Sequence, residues 1–266
     1  MKRQHSTHEQ RLSTDTPKRG TIKNIRIDLL EAMSGNLLLV KAVAMAIFVK
    51  NRLRDSRIRN YTPNRLRDLI KPHQSPPHHN TVRKYVNELL RMELAYMDGS
   101  DLVLCPLSDR RGRYNLSLKD TSGLTIAELE NLLLTAKVML IVKRKEYVKR
   151  TIEAAYNPKV NKNAREEFKK ARQTCRKYGY GNVFNDYGIS YKTIAKKLGI
   201  CLQKAEEVIH FAIEHGLLQK EKRQEPVFVF GIQCAEKFLD SSYGGSFATK
   251  NNVYKVLANI YTIPIA

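Results

Sequence analysis

A group of side chains that are suited to contact nucleic acid follows a proline-rich break at residues 71–79. The segment Val82 to Leu94 is predicted to be a helix, and its predicted buried stripe consists of Val82, Tyr85, Val86, Leu89 and Leu90. An Arg side chain can donate to guanine O6 and N7, and an Asn amide can pair with adenine N6 and N7. The candidate DNA-binding residues are Asn80, Thr81, Arg83, Lys84, Asn87 and Arg91.

These six residues lie on the outward face of the predicted helix, and the alternative interpretation of this face is an ordinary solvated helix surface. Arg83 and Asn87 are predicted to read base edges, whereas Lys84 and Arg91 are predicted to contact phosphates. The interpretation therefore depends on the elements that would position the helix against a duplex.

The charge favours a polyanionic partner. The 266 residues carry a formal net charge of +21, of which +19 falls within residues 1–180. A positive field of this size accelerates encounters with nucleic acid and releases its condensed counterions. Double-stranded DNA is the partner we expect, although the charge alone is equally compatible with RNA or an acidic lipid surface.

The elements around the candidate helix follow a defined order. A helix is predicted over Asn36 to Arg54, and Thr62-Pro63 begins a short helix that ends at Ile70. The candidate helix follows, with Asn80 or Thr81 as its N-cap. Two apolar runs around Asp98-Gly99-Ser100-Asp101 then predict a β-hairpin.

This order, over residues 36–107, resembles the winged helix-turn-helix superfamily of DNA-binding domains. The resemblance implies a mainly α fold with small β-hairpin wings, and a second helix that enters the major groove. A similar outline recurs later, where Ile194-Ala-Lys-Lys-Leu-Gly199 resembles the first half of a bacterial helix-turn-helix. Two winged helices joined by a helical connector are therefore expected, as in replication initiators of plasmids and phages.

Four sections follow from these patterns. Residues 1–24 are a basic, disordered tail, 25–120 an N-terminal winged helix, 121–180 a helical connector and 181–266 a C-terminal winged helix. In the connector, Thr125 to Glu128 fits a capping box for a helix toward Tyr156, and a polar helix covers about 163–178. In the last section, helices are predicted at 191–198 and 202–215, and weakly after 235.

The last section differs from the first in its charge. Two short strands are predicted at 217–219 and 227–230, with the charged stretch 220–226 between them. The outward face of helix 202–215 carries Glu206, Glu207 and Glu214, which would be repelled by phosphates. This helix is interpreted as a structural element or a surface for a protein partner.

The connector helix is too apolar to stand alone. Leu129, Leu133, Ala136 and Leu140 keep a coiled-coil spacing, and further apolar side chains lie on other faces. A homodimer through this helix is one way to cover it. The alternative is a monomer in which both winged helices of one chain pack against it.

No catalytic, cofactor or metal site is indicated. The chain shows no P-loop, GxSxG or HExxH motif, and Cys105, Cys175, Cys201 and Cys234 form no CxxC pair. His73, His78 and His79 match no standard zinc spacing. We expect a non-enzymatic cytoplasmic protein without a membrane span or cofactor.

Three roles remain open from the sequence. A transcription regulator is favoured, the alternatives being a replication initiator of a phage, plasmid or other mobile element and a protein-interaction scaffold.

Overall fold

Helices make up most of the described chain, and the sheets are small and antiparallel, as predicted. The described strands form three such sheets. The computed structural model describes residues 24–53, 56–108, 115–117, 121–155, 189–227, 246–248 and 253–264, with Glu166, Lys169 and Gln173. The helices are α1 (Ile27–Ala32), α2 (Leu37–Lys50), α3 (Pro63–Ile70), α4 (His79–Arg91), α5 (Ile126–Ala155), α6 (Tyr191–Leu198) and α7 (Leu202–Glu214). The strands are β1 (Asn24–Arg26), β2 (Arg57–Ile58), β3 (Ala95–Asp98), β4 (Asp101–Leu104), β5 (Asn115–Ser117), β6 (Gln219–Val227), β7 (Ser246–Ala248) and β8 (Val253–Thr262).

The predicted start signals of three helices are confirmed. The Thr62 hydroxyl accepts from the Arg65 N–H at 3.1 Å, with Pro63 at the first helical position. The Ser190 hydroxyl accepts from the Thr193 N–H at 3.1 Å. Thr125 and Glu128 form the reciprocal capping box, with N–H···O distances of 2.8 and 3.2 Å. Local side-chain chemistry therefore fixes where α3, α5 and α6 begin.

The N-terminal sheet is a three-stranded arrangement in the order β2-β4-β3. The predicted hairpin is present: Asp98 pairs with Asp101, and Gly99 and Ser100 form the turn. A separate pairing of β1 with β5, which the sequence did not suggest, joins Asn24–Arg26 to Asn115–Ser117. Of the predicted disordered tail, residues 1–23 lie outside the described residues.

The prediction for the C-terminal sheet is wrong. The charged stretch 220–226 is not a loop between two strands, because Gln219–Val227 is one continuous strand with a bulge between Glu221 and Arg223. Its partner is Val253–Thr262, in a region predicted to be weakly helical. A long-range pairing has overridden the local pattern. Of the predicted helix at 163–178, only Glu166, Lys169 and Gln173 are described, and all three are helical.

Helix α5 lies at the centre of the described chain. Residues 131–142 are all buried, including the polar Asn131, Thr135 and Lys137. The helix packs against α2 and α1 on the N-terminal side and against α6 and α7 on the C-terminal side. Elements of the same chain thus cover segment 131–142, so burial of this segment does not require a second chain. A homodimer through α5 stays a prediction. Within the described ranges, no helix is long and apolar enough to cross a membrane.

Two turns of the backbone meet closely where the N-terminal and C-terminal helices join. The Gly35 N–H donates to the Leu198 carbonyl, the last of α6, at 3.2 Å. Gly199, which ends α6 with φ +69°, lies so close that a Cβ placed on it would sit 2.4 Å from the Gly35 Cα. Gly35 itself has φ +70° between α1 and α2. The two helical groups are therefore in backbone contact.

A buried lysine links α5 to α1. The Lys137 ammonium donates to the Leu30 carbonyl at 2.7 Å and to the Glu31 carbonyl at 3.4 Å, near the C-terminal end of α1. Burial lowers the pKa of Lys137 from 10.5 to about 8, and the positive charge of Arg144 acts in the same direction. Glu31, which forms an ion pair with Arg144, opposes this shift.

Lys137→Met should alter how stability depends on pH. The pKa of Lys137 is about 8 in the folded chain and 10.5 when unperturbed, so between these values the unfolded state binds more protons. As the pH increases through this range, the free energy of unfolding of the wild type should therefore rise relative to that of the variant. The rise should be up to about 1.4 kcal/mol for each pH unit. Urea unfolding of both proteins from about pH 7 to about pH 10 measures the difference. If the free energies of unfolding of wild type and variant change in parallel with pH, the lowered pKa of Lys137 is contradicted.

Candidate nucleic-acid interface

Helix α4 presents a polar and basic surface opposite its buried stripe. Val82, Val86 and Leu89 are buried, as predicted, whereas Tyr85 and Leu90 are only half-buried. The helix begins earlier than predicted: the His78 ring accepts from the Asn80 N–H at 3.4 Å, so neither Asn80 nor Thr81 is the N-cap. Of the predicted contact residues, Thr81 is half-buried and the following are exposed: Asn80, Arg83, Lys84, Asn87 and Arg91.

Arg91 has a structural partner that the sequence analysis missed. Its guanidinium donates to both carboxylate oxygens of Glu88, at 2.9 and 2.6 Å. The Glu88 side chain is only 8% exposed and also accepts from the Asn36 amide at 2.9 Å. The hydrogen bonds from Arg91 lower the pKa of Glu88, against the effect of burial. Glu88 thus connects α4 to the start of α2, and Arg91 balances its buried charge, so a purely phosphate-contacting role for Arg91 is too simple.

Cations from neighbouring elements widen the basic surface. Burial raises the pKa of Tyr61, and the positive charge of Arg83 opposes that rise, which places Arg83 near the segment between β2 and α3. Arg59 in the same segment and Arg65 in the first turn of α3 are exposed. Sequence analysis overlooked both, because neither lies on the candidate helix. Exposed cations on three successive segments are suited to a run of phosphates.

The proline-rich connection between α3 and α4 is held at two points. The Arg67 guanidinium donates to the Pro77 carbonyl at 2.9 Å, and the Gln74 amide oxygen accepts from the Ile126 N–H at 3.1 Å. The first bond ties the connection to α3, and the second ties it to the start of α5. The connection, residues 71–78, is therefore fixed to the helices around it, which in turn sets where α4 begins.

The histidines of this connection have structural contacts. His73 packs edge-on against Phe48, with ring centroids 6.1 Å apart, and His78 stacks at 4.1 Å on His79. Among the described residues, no group of three His, Cys, Asp or Glu side chains is placed to hold a metal ion.

The β3–β4 hairpin carries two carboxylates, and one arginine forms ion pairs with both. Arg57 on β2 forms ion pairs with Asp98 at 2.5 Å and Asp101 at 3.1 Å. Asp101 also accepts from the Asn60 N–H at 2.8 Å, and this bond, with Arg57, lowers the pKa of Asp101. The hairpin turn is thereby fixed to the β2–α3 segment, and repulsion between its carboxylates and a nearby phosphate is reduced.

One carboxylate on the acidic face of α7 is bonded within the chain, to the central helix α5 and to a lysine of α7 itself. The Glu207 carboxylate accepts from the Asn131 amide of α5 at 3.2 Å and from Lys204 at 2.9 Å. The hydrogen bond from Lys204 is the main cause of the lowered pKa of Glu207. Glu206 and Glu214 are exposed, as predicted. Helix α7 therefore differs in charge and contacts from α4, its counterpart in sequence order.

No family model, curated protein or solved structure matches this chain. A functional assignment accordingly depends on the geometry of the chain and on its charge.

Proposed function

We propose that this chain binds double-stranded DNA with sequence selectivity, and that α4 is the helix that enters the major groove. The observation that carries the proposal is the exposed face of α4, where Arg83, Lys84 and Asn87 stand opposite an apolar stripe whose central side chains are buried. These side chains combine base-edge donors and acceptors with phosphate-binding charge. Transcription regulation and replication initiation both rely on such an activity, and regulation is the role we favour.

The surrounding elements support this assignment. The order α2-β2-α3-α4-β3-β4, with a sheet in the order β2-β4-β3, resembles that of a winged helix and supports the proposal. In such domains the second helix of the pair lies in the groove. The C-terminal elements α6 and α7 are followed by the strands β6 and β8, so we extend the winged-helix interpretation to them. The α5 connector lies between the two.

Salt dependence of duplex binding tests this function. The net charge of +21 and the exposed cations beside α4 should neutralise several phosphates. The logarithm of the binding constant should fall linearly with that of the salt concentration, with a slope of about −0.9 per phosphate contact. Fluorescence anisotropy with a random-sequence duplex measures the slope, and selection from a random pool then tests for a preferred site.

The same titration separates DNA binding from the alternative of a protein-interaction scaffold. A steep slope together with an enriched sequence motif is the expected result. An absence of duplex binding at low salt would contradict the proposal and favour the scaffold.

A further inference from the structure

A second group of cations lies at the contact between α5 and α6. We call it the α6 basic surface, defined by Arg144 of α5 and by Lys192, Lys196 and Lys197 of α6. Lys192 and Lys196 are both exposed, and their spacing of four residues places them on one side of the helix. Ile194, Ala195 and Leu198 form the opposite, buried side. The basic side of α6 thus faces outward.

These cations are close enough to affect one another. Burial lowers the pKa of Lys197, and the positive charges of Arg144 and Lys196 lower it further. Arg144 also lowers the pKa of Lys137, although it forms an ion pair with Glu31. Like charges held together in a partly buried setting repel one another, and a bound polyanion would relieve that repulsion.

A short series of contacts connects this surface to α4. Lys196 and Lys197 stand directly before Leu198, whose carbonyl accepts from the Gly35 N–H at 3.2 Å. Asn36 follows Gly35 and donates to Glu88, the ion-pair partner of Arg91 at the end of α4. The basic end of α6 is therefore linked to the C-terminal part of the candidate recognition helix through Gly35, Asn36 and Glu88.

The charge of α7 indicates which part of the C-terminal half can approach DNA. Exposed Glu206 and Glu214 would be repelled by phosphates, and Lys204 is engaged by Glu207. Helix α6, in contrast, presents lysines on its outward side. If the C-terminal half contacts the duplex, α6 is therefore the suitable element and α7 is not.

We infer that the α6 basic surface binds the phosphate backbone of the same DNA duplex that α4 contacts, and thereby extends the bound site beyond α4. The inference rests on the proposed function. It assigns the C-terminal half a sequence-independent anchoring role, because backbone contacts position a protein without reading bases.

The test replaces Lys192 and Lys196 by Gln in the full chain, which removes two charges and keeps helix-forming side chains. For a random-sequence duplex, the magnitude of the salt slope should decrease by up to about 1.8, which corresponds to two lost phosphate contacts. On a duplex recovered by selection, hydroxyl-radical footprinting should show lost protection on one flank and retained protection over the remainder. The matched control, Lys192→Arg with Lys196→Arg, keeps the charges and should retain both the slope and the footprint.

The outcomes separate this inference from the proposed function. If the wild type binds duplex DNA but the Gln variant keeps its slope and footprint, the inference is wrong and the proposed function stands. If the wild type shows no salt-dependent duplex binding, the proposed function itself fails. If the Gln variant loses binding to phosphatidylserine vesicles while duplex binding is unchanged, the surface belongs to a membrane contact, which also overturns the inference.

Discussion

Gly199→Ala is expected to destabilise the folded chain by about 2–5 kcal/mol. The backbone there has φ +69°, which costs an L-residue roughly 1–2 kcal/mol. In addition, the new Cβ would lie 2.4 Å from the Gly35 Cα, a backbone atom that cannot rotate away. Overpacking of this kind typically costs about 1–3 kcal/mol, and occasionally more. Urea unfolding, with the free energy extrapolated to water, measures the loss.

Gly35→Ala is the matched control for this substitution. Gly35 has nearly the same backbone angle, φ +70°, but a Cβ placed on it meets nothing within 4 Å. The control should therefore show the conformational cost of about 1–2 kcal/mol alone. The difference between the two variants isolates the close approach of the two turns. Equal losses would mean that the turns separate at little cost, and that the two helical groups are less firmly joined than described.

The second large effect is expected on sequence discrimination. Replacing both Arg83 and Asn87 by Ala should reduce the preference for a selected duplex over a random one by about 1–3 kcal/mol for each side chain that reads a base. Both side chains are exposed on α4, and Ala favours helix, so the fold should be retained. Competition anisotropy with the two duplexes measures the preference, and circular dichroism verifies the helix content.

Lys84→Ala provides the comparison on the same helix. Lys84 is exposed and is assigned to a phosphate, so its loss should weaken binding to both duplexes about equally. Arg91 is unsuitable for this purpose, since its substitution would also leave the buried Glu88 carboxylate with only the Asn36 hydrogen bond from the present network. If Glu206→Gln abolishes the preference for the selected duplex while the Arg83 and Asn87 substitutions leave it unchanged, α4 is not the recognition helix.

Signals that act within a few residues allowed much of the fold to be predicted. Thr62-Pro63, Ser190 and the Thr125–Glu128 box each satisfy nearby N–H groups, so their effect is visible in the local sequence. The turn at Gly99 and Ser100 is equally local. The buried stripe of α4 followed from helical periodicity, and most of its predicted contact residues are exposed.

The errors and omissions share a physical cause, namely contacts between distant residues. Glu88 was not expected to be buried, because its partner Asn36 lies 52 residues away. The charged segment of β6 becomes a strand because it pairs with residues of β8 that lie between 28 (Pro226–Tyr254) and 41 (Lys220–Tyr261) positions later in the chain. The cover of α5 by α6 and α7 likewise depends on tertiary packing. Periodicity shows that a face must be covered but does not identify what covers it.

The central position of α5 has a consequence for how the chain reaches its native state during translation. The buried segment 131–142 emerges from the ribosome well before α7, which ends at Glu214 and forms part of its cover. At about 5–20 residues per second, the interval is roughly 4–14 s. During that time the side of α5 destined for α6 and α7 is exposed to other nascent or unfolded chains. Yield in a cell should therefore depend on translation speed and on chaperones that bind apolar helices.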